Sequence, residues 1–210
     1  MKYIKPNGCA GITRLEVVLV IAGLFLVGLC GVLPALSRNN EKRGRVQCVA
    51  NLKQVALGFR MWANDHADQF CFQVSTNQGG TLEYGGGVNT FRHFQVVSNE
   101  TSSPAMLICP QDSRQPARDW AALNNEHLSY FVSLDANETQ PTKMLCGDRS
   151  LAAMLFPLEM PPGYATNSFH LKVGNVALSD GSVMQASPQQ FLKTGLATGL
   201  GLTTNRLAVP

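Results

Sequence analysis

Apolar and polar positions divide the chain into stretches of different character. A short polar and basic start, MKYIKPNGCAG, leads into residues 17–33, all apolar or Gly, and no Asp, Glu, Lys or Arg occurs from 17 to 37. At about 1.5 Å per residue, roughly 20 helical residues cross a hydrocarbon core of about 30 Å, so this run is a membrane-spanning candidate. The pattern then changes. Apolar residues recur at Val46, Val49, Leu52, Val55/Ala56, Phe59 and Ala63, steps of three and four that mark one face of an α-helix. Arg45, Gln47, Asn51, Lys53, Gln54 and Arg60 fall on the opposite face. Together the two patterns predict one helix over 13–64, roughly 75 Å long. Pro34 removes one of its hydrogen bonds and can bend it.

Beyond this helix the periodicity weakens. Residues 71–104 are rich in Gly, Ser, Thr and Asn and read as loops with one short helix at 91–97. Strand candidates are 106–109, 128–134 and 143–146. The best hairpin is 175–179 with 182–186, where Asp180-Gly181 supplies the positive φ angles of a tight turn. Ser187-Pro188 predicts a short capped helix over 189–193. The Gly/Thr/Leu-rich segment 195–210 is expected to be a flexible tail.

Composition sharpens this picture. Charged residues make up only 15% of the chain, against about 25% in ordinary soluble domains. The net charge of +3 includes Lys2 and Lys5, so no large basic field is left to call for nucleic acid. None of the six cysteines forms a CxxC pair, which removes the zinc-ribbon and thioredoxin readings. Cys48, Cys71, Cys109 and Cys146 lie beyond the apolar run, as buried thiols or as disulfides in one of three connectivities.

A secretory signal peptide would have a shorter apolar region, about 7 to 15 residues, and a small-residue cleavage site. A plain signal anchor fits the length. Neither explains Glu16, a carboxylate at the start of the run that is costly in lipid unless paired. Gly11-Ile12-Thr13-Arg14-Leu15-Glu16-Val17-Val18-Leu19-Val20-Ile21 resembles the type IV prepilin (class III) signal. The resemblance implies cleavage by prepilin peptidase between Gly11 and Ile12 and methylation of the new N-terminal Ile12. It makes Glu16 the fifth residue of the mature chain, paired with the free amine of a neighbouring subunit and so fixing the register of stacked helices. Ile12 replaces the commoner Phe or Met, and Arg14 stands where an apolar residue is usual. The blander alternative for Glu16 is that it snorkels to the headgroups.

Later segments add to the likeness. RGRVQCVANLKQVALGFRMWANDHADQF, Cys109-Pro110-Gln111-Asp112, Gly147-Asp148-Arg149 and the segment GNVALSDGSV at 174–183 resemble elements of bacterial proteins with a prepilin-type cleavage/methylation domain. An H-x-G element near His170 is degraded, since Leu171-Lys172 follows. The family is that of the type IV pilin-like pseudopilins, among them the protein G-like subunits of type II secretion systems.

Other sites have weaker support. Asn64, Asp65, His66 and Asp68 cluster where the helix should end, and oxygen ligands at short spacing could bind calcium, but the spacing departs from the EF-hand loop. A solvated helix end with Asx turns is the favoured reading, and calcium is the one ion left open, since some pseudopilins hold it in their heads. Asp112, Asp148 and Asp180 read as turn carboxylates that bind backbone N–H groups. His66, His93, His127 and His170 adjoin no nucleophile motif, and GxSxG, HExxH and P-loop patterns are absent. Trp62 and Trp120 read as core anchors.

The expected fold class is α+β: a long N-terminal α-helix, membrane-spanning in its first half, packed on a small antiparallel β-sheet head in the pilin manner. The expected order is a leader (1–11), an assembly helix (12–37), an amphipathic second half (38–66), a head (67–194) and the tail (195–210). Charge on both sides of the run leaves topology open. The resemblance places the leader in the cytoplasm, the anchor in the inner (cytoplasmic) membrane and the head in the periplasm or outside the cell. Expected partners are prepilin peptidase and other pilin-like subunits. The rivals are a bitopic envelope protein that binds a ligand without polymerising, and an anchored enzyme.

Overall fold

The expected long helix is α1, Arg14–Asn64. The computed structural model describes residues 14–155, 173–187, 189 and 206–210, with side chains except those of 29–41, 153–155 and 186. Contacts divide the chain into two compact units, Met1–Lys42 and Arg43–Pro210. In the first unit every residue from 14 to 28 is exposed, and a Cβ added at Gly23 or Gly28 would meet nothing within 4 Å. Among the described residues no helix is long and apolar enough to cross a membrane. The expected span of 12–37 is therefore not found as such. Its backbone from 14 to 37 is helical as part of α1, and its side chains are described only over 14–28.

In the second unit α1 buries Cys48, Leu52, Val55, Ala56, Phe59, Trp62 and Ala63, none more than 4% exposed. This stripe differs from the predicted one at its start. Val46 is 71% exposed and Cys48 takes the inward position, while Asn51, expected on the wet face, is 7% exposed. Burial of Asn51 is compensated because its Nδ2 donates to Ile108 O at 3.1 Å. The helix stops where Ala67 and Asp68 adopt left-handed φ of 55° and 58°. The Asp68 N–H then turns back onto Ala63 O at 3.0 Å.

The stripe packs on an antiparallel sheet of five strands in the order β4-β3-β2-β1-β5: β1 Tyr130–Ser133, β2 Met144–Asp148, β3 Gly174–Leu178, β4 Val183–Ala186 and β5 Leu207–Ala208. Aromatic and β-branched residues in β1 suit a pleated, covered surface. Tyr130 and Val132 join α1 in the larger core, while Phe131 points to the other face. There it meets Met144, Val176 and the Leu151 and Ala152 side chains of α2, Arg149–Leu155. Leu145 and Cys146 both join the α1 side, because the β2–β3 ladder shifts register between Met144 and Cys146. The head is thus α+β, with α1 on one face of an antiparallel sheet and α2 on the other.

Three expectations about local structure change. Residues 106–109 were expected to be a strand; Pro104–Leu107 is instead a 3-10 turn, started by Pro104 and capped by Ser103 Oγ, which accepts from Ala105 N at 3.2 Å. The expected loops of 71–104 with one short helix are found, the helix at Thr90–Gln95 and the loops carrying several 3-10 turns. The β3–β4 hairpin forms, with Ala177 opposite Val183. Its turn puts Gly181 alone at positive φ, 83°, with Gly181 N donating to Leu178 O at 2.9 Å, rather than placing both Asp180 and Gly181 there. Lastly, the segment expected to be a flexible tail supplies an edge strand: Ala208 pairs with Val132 and Leu207 with Ser133. Residues 195–205, His170 and most of the predicted 189–193 helix lie outside the described residues.

Candidate functional site

Glu16 stands in the first turn of α1, where the positive end of the helix dipole favours a carboxylate by roughly 0.3–1 kcal/mol. Around and beyond it Leu15, Val17, Val18, Leu19, Val20, Ile21, Leu24, Phe25, Leu26 and Val27 are each between 45% and 73% exposed. Apolar side chains thus leave the helix in every direction, and among the described residues of this unit nothing covers them. Gly11 and Ile12, the expected processing site, lie outside the described residues.

In the head, the segments singled out by sequence come together beneath α1. The Asp148 carboxylate, 0% exposed at the end of β2, accepts from Asn175 N at 2.7 Å and Asn175 Nδ2 at 2.9 Å through Oδ2. Its Oδ1 accepts from Cys48 Sγ at 3.4 Å, and Cys48 Sγ lies 3.5 Å from Tyr130 Oη. Beside this cluster Arg149 grips Asp112 at two points, Nε to Oδ2 at 3.1 Å and Nη2 to Oδ1 at 2.9 Å. Ser129 Oγ adds a bond of 2.8 Å to Asp112 Oδ2. Both bind a backbone N–H as expected, Asp112 Oδ1 accepting from Arg114 N at 3.3 Å in a turn and Asp148 from Asn175 N, but they also tie together loops and strands remote in sequence. Asp180 does fit that description, accepting from Ser182 N at 2.8 Å.

Burial and neighbouring charge favour the protonated thiols and phenol of this cluster. A hydrogen bond with the Cys109 thiol, burial and the charge of Asp148 together push the Cys48 thiol far up. Burial, followed by Cys48 and Asp148, likewise raises Tyr130. Burial pushes Cys71 up to about 12 and, with Asp148, raises Cys146. Thiolate is the nucleophilic form, and these sites suppress it. For Asp112, burial favours the neutral acid, but the bonds from Arg149 and Ser129 outweigh it and hold the carboxyl below its usual range.

The remaining candidates separate. His66 Nδ1 meets Trp62 O at 2.7 Å and its ring stacks on Trp62 at 3.6 Å. His93 is buried between Thr81 Oγ1 and Gly85 O, and His127 Nδ1 bonds Gln115 O at 2.8 Å. Trp62 is buried in the core and Trp120 packs half-buried against it. Asn64 and Asp65 flank an open groove of about 340 Å³ with Leu57, Arg60 and Met61. Arg60 is held by Glu138 Oε1 at 3.0 Å and Asp180 O at 2.7 Å. Among the described residues, no group of three His, Cys, Asp or Glu side chains is placed to hold a metal ion. Sequence reasoning did not single out Ser129, Tyr130 or Asn175, whose polar groups mark them only once their partners across the sheet are known.

Comparison of the chain with protein-family models, with curated proteins and with solved structures finds no match in any of the three.

Proposed function

We propose that this chain is a pilin-type structural subunit, a pseudopilin of a type II secretion or type IV pilus-like assembly. In this reading prepilin peptidase cuts after Gly11, Ile12 is methylated, and residues 12–37 anchor the chain in the inner membrane. The head then stands in the periplasm or outside the cell. Related subunits pack through their N-terminal helices, and Glu16 pairs with the Ile12 amine of a neighbour.

The observation that carries the reading is the exposure of α1 from 14 to 28, with large apolar residues on all sides and one acid in its first turn. Each large apolar side chain left in water forgoes about 1.5–3 kcal/mol, so such a surface calls for lipid or for other helices. A carboxylate near lipid costs a few kcal/mol unless it is paired.

Two measurements test this. Mass spectrometry of the mature protein should find a methylated Ile12 start; an intact Met1, or a cut beyond Leu33, overturns the proposal. Glu16→Ala should abolish cross-linking between subunits in the membrane while the head melts at its usual temperature. Unchanged cross-linking would favour the solitary envelope protein instead.

A further inference from the structure

The structure assigns Cys48 and Cys109 as a disulfide pair that closes when the head folds under oxidising conditions, stapling α1 to the loop that carries Asp112. The assignment follows from how helix and loop lie together. Three consecutive inward positions of α1 track the loop in reverse order. A Cβ at Gly44 would come within 2.9 Å of Gln111 Cγ, and Asn51 Nδ2 donates to Ile108 O at 3.1 Å. Between these two contacts Cys48 meets Cys109, thiol hydrogen-bonded to thiol, both at 0% exposure.

The other two described thiols are held elsewhere. Cys71 Sγ donates to the His93 carbonyl at 3.7 Å, and Cys146 stands on β2 on the α1 side of the sheet. In the described state none of the four is in a disulfide. Bridging costs the cluster one weak S–H donor to Asp148, whose other oxygen keeps both bonds from Asn175.

The step balances as thiol–disulfide exchange. One cysteine thiolate attacks a small or protein-borne disulfide oxidant, releasing a thiol and forming a mixed disulfide; the second displaces the oxidant's remaining thiol. Two thiols lose two protons and two electrons, and the oxidant gains both. Timing follows from the environment. In the unfolded chain the thiols titrate near the ordinary value of about 8.5 and are accessible. In the folded head both are covered and the Cys48 thiolate is suppressed, so oxidation accompanies folding. The finished bridge is then sheltered from reductant.

In the cell the bridge also rests on the reading above, because a head kept in the reducing cytoplasm would stay unbridged. The test therefore has two arms. Full-length protein is unfolded and reduced in detergent, then refolded in an oxidised/reduced glutathione buffer and digested without reductant for mass spectrometry. A peptide joining Cys48 to Cys109 is expected. Closing a loop of about 60 residues should raise the thermal midpoint by about 10 °C over the reduced form of the same protein. Cys48→Ser and Cys109→Ser should each remove that shift, and Cys71→Ser should leave it. Complete alkylation of Cys48 and Cys109 after oxidative refolding, or a peptide joining Cys71 to Cys146 in their place, overturns the pair. The second arm isolates the protein from native membranes in the presence of alkylating agent. A bridge there supports both inferences. A chain that bridges in vitro but is fully alkylated from the cell keeps the pair and overturns the exported head.

Discussion

Arg149 and Asp112 form a two-point ion pair across 37 positions of sequence, with Nη2 2.9 Å from Oδ1 and side chains only 10% and 0% exposed. Such a pair resists the loss of one partner more than the loss of both, because a lone charge is left in a poorly solvated place. Asp112→Ala should therefore cost about 3–5 kcal/mol of unfolding free energy. Asp112→Leu combined with Arg149→Met should recover most of it. Urea unfolding of the four proteins measures this. A single substitution worth less than about 1 kcal/mol, the range of exposed pairs, would mean that water reaches the site.

His93 should make the head sensitive to mild acid. Gly85 O can only accept, so the ring nitrogen 2.6 Å away, Nε2, carries the proton, and Nδ1 faces Thr81 Oγ1 at 2.7 Å. Burial lowers the pKa of His93 from 6.5 despite the Gly85 bond. The unfolded chain thus binds more protons than the folded one below about pH 6.5. The contribution is complete above that pH and is lost as pH falls toward the lowered folded value, by at most about 1.4 kcal/mol per pH unit for one proton. Unfolding free energies at pH 7.5 and 5 should differ accordingly, and His93→Gln should flatten the difference. An unchanged slope would show that other groups set it.

How much of this was legible in the sequence depends on whether the cause was local. The long helix and the hairpin announce themselves because periods of 3.6 and 2 repeat along neighbouring residues. The error at the start of the stripe is instructive. Val46 fits the count, but Cys48 is the residue that faces the loop, where its thiol meets Cys109, Tyr130 and Asp148. Asp112 and Asp148 read as turn acids because the partners that define them, Arg149 and Asn175, are 37 and 27 positions away. Leu207–Ala208 is too short to signal a strand, and only β1 makes it one. Conversely, Gly11 and Ile12 rest on the sequence resemblance alone, since they lie outside the described residues.

Glu83 should titrate far below the ordinary glutamate value although it lies on the surface. Its Oε1 accepts from Ser75 Oγ at 2.6 Å and its Oε2 from Thr76 N at 2.8 Å, closing the 75–83 loop. The hydroxyl bond, followed by the backbone bond, lowers its pKa from 4.5 to about 2. The tie is thus fully present above pH 4.5 and is lost as pH falls through about 2. Side-chain carboxyl shifts followed by NMR should give that midpoint. A value near 4.5 would show that the loop opens in solution.

The last prediction concerns the division of labour between the two units. Residues 43–210 form a compact unit containing the whole of the larger core, from Cys48 on α1 to Ala208 on β5. The apolar surface of 14–28 contributes nothing to that core. A chain starting at Arg43 should therefore be soluble without detergent and unfold in one cooperative transition at the midpoint of the full-length head. Placing the new start at Val55 instead removes Cys48, Asn51 and Leu52, leaving Asp148, Tyr130 and Ile108 O without those partners. Loss of a buried Leu alone costs about 2–5 kcal/mol, out of the 5–15 kcal/mol typical of a whole domain. That shorter chain should melt far lower or fail to fold. Circular dichroism on both separates the outcomes: equal midpoints would show that residues 43–54 of α1 are dispensable to the head, against the packing described.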